Sequence, residues 1–233
     1  MTTGRSSPGR QWISTVSASR YGTPPVTSSH RVWLPSAARL RGISRNPQLG
    51  SVRTANDHYE LIVLNDTREA WKGSWKVERM TLAGEVLASQ TFDVELDAVS
   101  HVGLPLAEEI VDYADAGNEL VVATASDGAF VRVIFNPAEV IGQKLAAPAE
   151  AFETVASRVD GGVELKVTAT SYVRDLFCMA DKIDAKASVD AGMVSLLPGE
   201  SVTLRIDTGS DDDPQSFAAA NVLRSANDLK REW

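Results

Sequence analysis

The chain has 233 residues, 43% of them hydrophobic and 23% charged, which is ordinary for a globular protein and enough for one large core or two small ones. No apolar run approaches the roughly 18 residues of a membrane-spanning helix, and no hydrophobic signal-peptide segment is present, so we expect a cytoplasmic protein without a membrane partner. The single cysteine, Cys178, excludes an intrachain disulfide, and three scattered histidines lack metal-ligand spacing; we therefore expect neither a metal nor another cofactor.

Charge is divided unevenly along the chain. Residues 1–56 contain eight arginines, no lysine and no acidic residue, whereas residues 57–233 carry 15 basic and 31 acidic side chains, a net charge of −16. One folded unit rarely divides its charge so sharply. The sequence therefore predicts a change of segment near Asp57.

The leader, residues 1–56, is rich in Ser, Arg, Gly and Pro, and its apolar residues follow neither a helical nor a strand period. Low hydrophobicity with high net charge favours a largely disordered or mis-translated extension. A transit peptide has a similar composition, but no clear amphipathic helix emerges. A nucleic-acid-binding arm would also contain lysine and adjoin a basic domain, and the following domain is acidic, so we expect no nucleic-acid partner.

Short β-rich runs follow one another from residue 57 to residue 137. Turn signals separate them, notably Ala83-Gly84-Glu85 and the Asp127-Gly128 pair, which is a strong hairpin signal. About seven strands in ~80 residues predict an immunoglobulin-like β-sandwich over residues 57–137. The predicted runs are 59–65, 74–82, 86–96, 98–106, 107–111, 119–126 and 129–136.

A segment rich in small residues, 138–150, reads as a linker before a second set of strands. The alternation of apolar and polar residues over 201–208 indicates a strand with one solvated face. Residues 151–230 are therefore predicted to form a second immunoglobulin-like β-sandwich, and the fold class is all-β. Local propensity leaves residues 217–229 open between helix and strand. The runs predicted as strands are 152–159, 163–171, 172–179, 192–197 and 201–208.

Two long stretches resemble parts of a known enzyme family. The sequence LIVLNDTREAWKGSWKVERMTLAGEVLASQ (61–90) resembles the immunoglobulin-like domain that follows the catalytic barrel in β-mannosidases of glycoside hydrolase family 2. The sequence YVRDLFCMADKIDAKASVDAGMVSLLPGESVTLRI (172–206), followed by VLRSANDL (222–229), is similar to the terminal β-sandwich of the same enzymes. The resemblance covers roughly residues 59–229 and favours a last strand, not a helix, at Val222 to Leu229.

The resemblance implies a non-catalytic accessory role. The family places its two catalytic glutamates in a TIM barrel ahead of these domains, and a leader of 56 residues is far shorter than the ~200 that a barrel requires. We therefore expect a C-terminal fragment, inactive alone, whose partner is the catalytic barrel of a β-mannosidase-like enzyme and whose parent activity is hydrolysis of terminal β-D-mannose residues. The alternative is a stand-alone carbohydrate-binding β-sandwich module.

No catalytic residue is predicted within the chain. Glu119 follows an asparagine, as the family's acid/base glutamate does, but Gly117-Asn118 supplies a turn, and a retaining glycosidase needs a second carboxyl group about 5–5.5 Å away. We expect Glu119 to occupy an exposed hairpin position. Trp71 and Trp75 flank a short KGS segment and are the candidate carbohydrate-binding residues, because exposed tryptophans can stack on a sugar; core packing is the competing interpretation.

Three further features have simple structural interpretations. Cys178 lies among apolar residues, which indicates a buried and unreactive thiol. The acidic run Asp211 to Asp213 lacks the ligand spacing of a calcium loop, so we expect a solvated turn. Asn65-Asp66-Thr67 matches a glycosylation sequon, but a turn is the simpler interpretation.

Overall fold

The computed structural model describes residues 59–128 and 130–229, together with the backbone of residues 38–41. Antiparallel sheets in these segments form two β-sandwiches in succession, which confirms the predicted all-β fold. The predictions for the leader lie outside the described residues except at Ala38–Arg41. These four residues form a strand, although the sequence there gives no strand period.

The elements of the first sandwich are β1 (Ala38–Arg41), β2 (Glu60–Asn65), β3 (Trp71–Thr81), β4 (Val86–Leu96), β5 (Ser100–Pro105), α1 (Glu108–Val111), β6 (Glu119–Ala125) and β7 (Val133–Phe135). A three-stranded sheet of order β1-β2-β5 packs against a four-stranded sheet of order β4-β3-β6-β7. The core includes Leu61 and Val63 from one sheet and Val77 and Ala123 from the other, all fully buried.

The elements of the second sandwich are α2 (Pro148–Ala151), β8 (Phe152–Val159), β9 (Gly162–Ala169), β10 (Val173–Cys178), β11 (Ser188–Val189), β12 (Val194–Leu196), β13 (Ser201–Asp207) and β14 (Leu223–Arg224), with 3-10 helices at Val140–Gly142, Ala180–Lys182, Pro214–Ala218 and Ala226–Leu229. A sheet of order β11-β13-β9-β8 packs against one of order β12-β10-β14. The 3-10 helix Pro214–Ala218 lies along β8, the edge strand, and buries Phe217 in the core. Covering an edge in this way limits unwanted strand pairing.

A third hydrophobic cluster joins the two sandwiches, and we call it the junction core. Strand β6 faces its own sandwich with Val121 and Ala123, and it directs Leu120 and Val122 into the junction core. Strand β6 is therefore buried on both faces, as is normally seen in sheets covered on two sides. The junction core consists of Met80, Leu82, Leu120, Val122, Ile134, Leu145, Tyr172 and Ala226.

The structure corrects several predicted elements. Residues 108–111 form the helical turn α1, which buries Ile110, where the sequence suggested a strand. The strand predicted over 129–136 is reduced to β7, Val133–Phe135. At the C-terminal end, Val222 to Leu229 contains only the two-residue β14, and a 3-10 helix begins at Ala226. The strand is short because Ala226 packs in the junction core and Asn227 donates a hydrogen bond to the carbonyl oxygen of Ala146 in the preceding linker.

Candidate functional site

The two candidate tryptophans do not form an exposed pair. Trp75 is fully buried, and its ring centroid lies 5.2 Å from that of Phe130. Trp71 is partly exposed and packs edge-on against the same Phe130, with centroids 4.7 Å apart. Both point to the core side because residues four apart on a strand share a face. The prediction that both tryptophans are exposed is thus corrected: of the two, Trp71 reaches the surface and Trp75 does not.

The Trp71 ring is held in place by contacts on three sides. It occupies the space beside Gly73 where a Cβ would overlap the ring atom Cζ2. Its indole Nε1 donates a hydrogen bond of 2.7 Å to Asp127 Oδ2, and Phe130 supports its edge. The indole is therefore preorganised at the protein surface, at the start of β3.

A shallow groove of about 700 Å³ lies on the outer face of β3 and β4, which carries Lys72 and Ser74 and is opposite to the face that carries Trp71; we call it the β3–β4 groove. The ammonium of Lys72 and the carboxylate of Glu95 form an exposed ion pair in it. Their hydrogen bond lowers the pKa of Glu95 and raises the pKa of Lys72. The groove is lined by Lys72, Gly73, Ser74, Asp93, Val94, Glu95 and Ser126.

The loops at this end of the sandwich are tied together by Asn65. Its Nδ2 donates to the carbonyl oxygens of Glu69 at 2.8 Å and Asp97 at 2.9 Å, and its Oδ1 accepts from the backbone N and the hydroxyl of Thr67. The predicted turn is therefore present at the sequon. The neighbouring Val99 has φ of +51° and is 72% exposed, an uncommon conformation for a β-branched residue.

Glu119 is buried, which corrects the exposed position predicted for it. Only 3% of the residue is exposed. Its Oε2 accepts a hydrogen bond from Arg79 Nη1 at 2.9 Å, and its Oε1 accepts from the backbone N of Asp115 at 2.8 Å. Arg79 also donates to the carbonyl oxygen of Asp112. Both carboxylate oxygens are thus occupied in bracing the segment that precedes β6.

A polar network surrounds the junction core. Arg132 of the first sandwich forms a two-pronged ion pair with Glu200 of the second, in which Nη2 lies 2.9 Å from Oε2. Burial raises the pKa of the Tyr172 hydroxyl, and the nearby polar side chains of Asn136 and Ser195 act against this rise. Paired guanidinium and carboxylate groups of this geometry fix relative orientation as well as contributing energy. The network therefore holds the two sandwiches in one arrangement.

Cys178 and the acidic run Asp211 to Asp213 both lie in settings that a structural role explains. Burial raises the pKa of the Cys178 thiol to about 11. Asp213 caps a 3-10 helix by accepting from the backbone N of Gln215 at 3.0 Å, and Asp212 accepts from the Ser210 hydroxyl.

Within residues 59–128 and 130–229, no group of three or more His, Cys, Asp or Glu residues is placed to hold a metal ion. Across the described part of the chain, no helix has the length and apolar character to cross a bilayer.

Comparison with known proteins gives a likeness of fold. No protein-family model and no curated protein sequence matches the chain. A β-D-mannosidase from Dictyoglomus thermophilum matches at a TM-score of 0.55 and 13% identity, over 82% of this chain and 21% of that one. The exo-chitosanase CsxA from Amycolatopsis orientalis gives a TM-score of 0.41 and 17% identity, over 75% of this chain and 25% of that one. The chain thus spans about one fifth of the mannosidase, and at this identity the match concerns fold alone.

Sequence reasoning missed the residues that border Trp71. The local sequence indicates Asp127 only as part of a turn and Gly73 only as part of the KGS segment between the tryptophans, whereas the two together fix the indole. A usable signal was present in the parity of β3: Trp71, Gly73, Trp75 and Val77 alternate with polar residues, which places them on one face. The pairing of β3 with β6, which brings Asp127 near Trp71, is not readable from local sequence.

Proposed function

We propose that the chain is a non-catalytic accessory part of a β-mannosidase-like glycoside hydrolase of family 2, and that its partner is the catalytic barrel of that enzyme. The observation that carries the proposal is the match of both sandwiches in tandem, over 82% of this chain, to about one fifth of a β-D-mannosidase. Support also comes from the two stretches, 61–90 and 172–206, that resemble the sandwich domains of that family. The parent reaction would be the hydrolysis of terminal β-D-mannose residues.

The junction core suits such a scaffold. Because β6 is buried on both faces and Arg132 pairs with Glu200 across the junction, the two sandwiches present one fixed surface to a partner. A rigid two-domain body can brace a neighbouring barrel without supplying any reacting group. Glu119 has a structural role, because its two carboxylate oxygens accept hydrogen bonds from Arg79 and from the backbone N of Asp115.

The genomic or transcript sequence upstream of residue 57 tests this proposal. We expect a reading frame that encodes a barrel of ~250 residues with its two glutamates to adjoin that position. An upstream region that encodes no such barrel would contradict the accessory role. As a second measurement, the purified chain should not hydrolyse an aryl β-mannoside, and turnover that co-purifies with the chain and survives Glu119→Gln would show a reaction centre elsewhere in it.

The alternative is a stand-alone carbohydrate-binding module. One observation favours it: Trp71 is a partly exposed, fixed indole at the loop end of a β-sandwich. Aromatic rings of this kind provide large contact areas for the apolar face of a sugar. The upstream sequence separates the two functions, because only the accessory role requires a barrel-coding frame next to the sandwiches.

A further inference from the structure

We infer that the edge of β2 opposite β5 is a strand-acceptor site for an extended peptide segment, and that residues 38–41 of this chain occupy it. The site consists of the backbone groups of Glu60–Val63 that face β1, and we call it the β2 edge. A segment binds there through main-chain hydrogen bonds, as in β-strand addition. The inference rests on the proposed function only for the source of a competing segment, which is the polypeptide that carries the catalytic barrel.

The first argument is that β2 already holds an added strand. β1 pairs antiparallel with β2, from Ala38 opposite Val63 to Arg41 opposite Glu60. β2 also pairs with β5 along its whole length, so β1 fills its second edge. Residues 42–59 separate β1 from β2 in the sequence, whereas a hairpin loop has roughly two to five residues. No tight turn imposes this pairing, so a different segment can take the place of β1.

The second argument is the sequence of β2. Leu61 to Leu64 is an uninterrupted apolar run without proline or charge, which is typical of a central strand. Edge strands usually carry charge or proline, or are short, because an unpaired ladder recruits other chains. The edges formed by β4, β5 and β7 follow this rule: β4 carries Asp93 and Glu95, β5 ends at Pro105 and β7 has three residues. Between Leu61 and Leu64, β2 lacks these features and depends on a bound segment.

The third argument is the position of the β2 edge between the two sheets. β1 lies next to β7 as well as β2, so the bound segment closes the side of the sandwich where these two strands approach. Tyr59, which precedes β2, packs edge-on against Phe135 of β7 with ring centroids 5.9 Å apart. Leu61 and Val63, whose backbones pair with β1, are fully buried in the core. A segment at the β2 edge therefore helps to keep water from core residues in addition to pairing its backbone.

Because residues 38–41 belong to the same chain as the β2 edge, they compete with any segment that another polypeptide supplies. A tethered segment acts at an effective concentration in the millimolar range. Backbone pairing over so few residues is weak, so a segment of higher affinity displaces β1. The leader therefore controls access: a segment of the barrel-carrying polypeptide binds the β2 edge only when β1 leaves it.

The test uses the full-length chain with Arg39→Pro and Leu40→Pro together. Of two successive strand residues one directs its N–H toward the neighbouring strand, and proline has no N–H, so the double variant removes a ladder bond to β2. Hydrogen exchange of a fragment covering residues 59–65, measured by mass spectrometry, reports on β2. About two amides of β2 should lose protection in the double variant, because alternate residues of Glu60–Val63 face β1.

A synthetic peptide of residues 36–43 supplies the strand in trans. Added to the double variant, it should restore the protection of β2 with a Kd on the order of 0.1–1 mM. The unaltered chain should bind the same peptide about tenfold more weakly, because β1 competes for the site. A peptide that carries both prolines is the matched control ligand and should restore no protection.

Two further sets of variants complete the design. Ser44→Pro and Arg45→Pro together also introduce two prolines and remove one arginine, but outside β1, and they should leave the exchange of β2 unchanged. If the double variant does not fold, Arg39→Pro and Leu40→Pro are measured singly. Only one of these two residues directs its N–H toward β2, so only one single variant should lose protection.

The inference is overturned if the double variant, or both single variants, protect β2 as well as the unaltered chain does. It is also overturned if the peptide restores no protection, or if the unaltered chain binds the peptide as tightly as the variant. Protection that rises with protein concentration, without added peptide, would overturn it by assigning the β2 edge to a second copy of the chain. None of these results bears on the barrel-coding frame upstream of residue 57, so the accessory role is tested separately.

Discussion

Replacement of Glu119 by glutamine should destabilise the fold. Arg79 and Glu119 form an ion pair whose side chains are 15% and 4% exposed, and the carboxylate also accepts from the backbone N of Asp115. Removing one charge of a buried pair leaves the other charge without compensation, which typically costs about 3–5 kcal/mol. Glutamine has nearly the same shape and retains one carbonyl acceptor, so we expect a loss of about 2–4 kcal/mol.

Urea unfolding monitored by circular dichroism measures this loss. With a slope of about 2 kcal/mol per molar urea, the midpoint should fall by roughly 1–2 M. Glu95→Gln is the matched control, because it makes the same chemical change in the exposed pair of Lys72 and Glu95, and surface pairs contribute little. We expect no measurable shift for the control.

A shift for Glu119→Gln as small as that for Glu95→Gln would refute the reasoning, since the pair would then be solvated. Glu119→Ala extends the comparison, because alanine keeps neither hydrogen bond. It should be less stable than the glutamine variant. Equal stability of the alanine and glutamine variants would mean that the acceptor for Asp115 contributes nothing.

Three further predictions concern the junction core and the buried titratable groups. Leu120→Ala should cost about 2–5 kcal/mol and shift the unfolding of both sandwiches together, as seen by hydrogen exchange, whereas separate transitions would show that the junction does not couple them. Burial raises the pKa values of Tyr113 and Tyr172 in the folded state. Their stabilising contribution is therefore complete below pH 10, and it is lost as the pH rises through the pKa values of the folded state. A urea midpoint that does not fall above pH 10 would contradict this prediction. With its pKa raised from 9.0 to about 11, Cys178 should react with a thiol reagent about 100-fold more slowly in the native chain than in urea, and equal rates would show an exposed thiolate.

The alternation of residues and the turn signals predict much of the fold. The observed strands Val86–Leu96 and Phe152–Val159 have the bounds that the sequence indicates, because both keep a period of two and each adjoins a glycine-containing turn. The turn at Gly84 precedes the first strand, and the turn at Gly161 follows the second. The helical turn at Glu108–Val111 is missed because four residues are too few for a helical period. The shortened strand at Val222–Leu229 has another cause: Asn227 is drawn to the carbonyl oxygens of Ala146 and Tyr172, which are far away in sequence.

The candidate site is less predictable than the fold. Aromatic content marks Trp71 and Trp75, but their burial depends on Phe130, which reaches them from the loop between β6 and β7. Glu119 looked exposed because it follows a turn, and its partner Arg79 lies 40 positions earlier on β3. Pairings of this kind depend on sheet register, which is set by tertiary contacts and not by the local pattern.

The double-sided burial of β6 has a consequence for how such chains can be shortened or recombined. A cut near residue 137 would follow the break in sequence pattern, yet it would leave Leu120, Val122 and Ile134 facing water on the first half. Contiguous apolar surface of this kind promotes aggregation. An exchange between related genes would therefore preserve solubility only if it carried both sandwiches as a single inherited block.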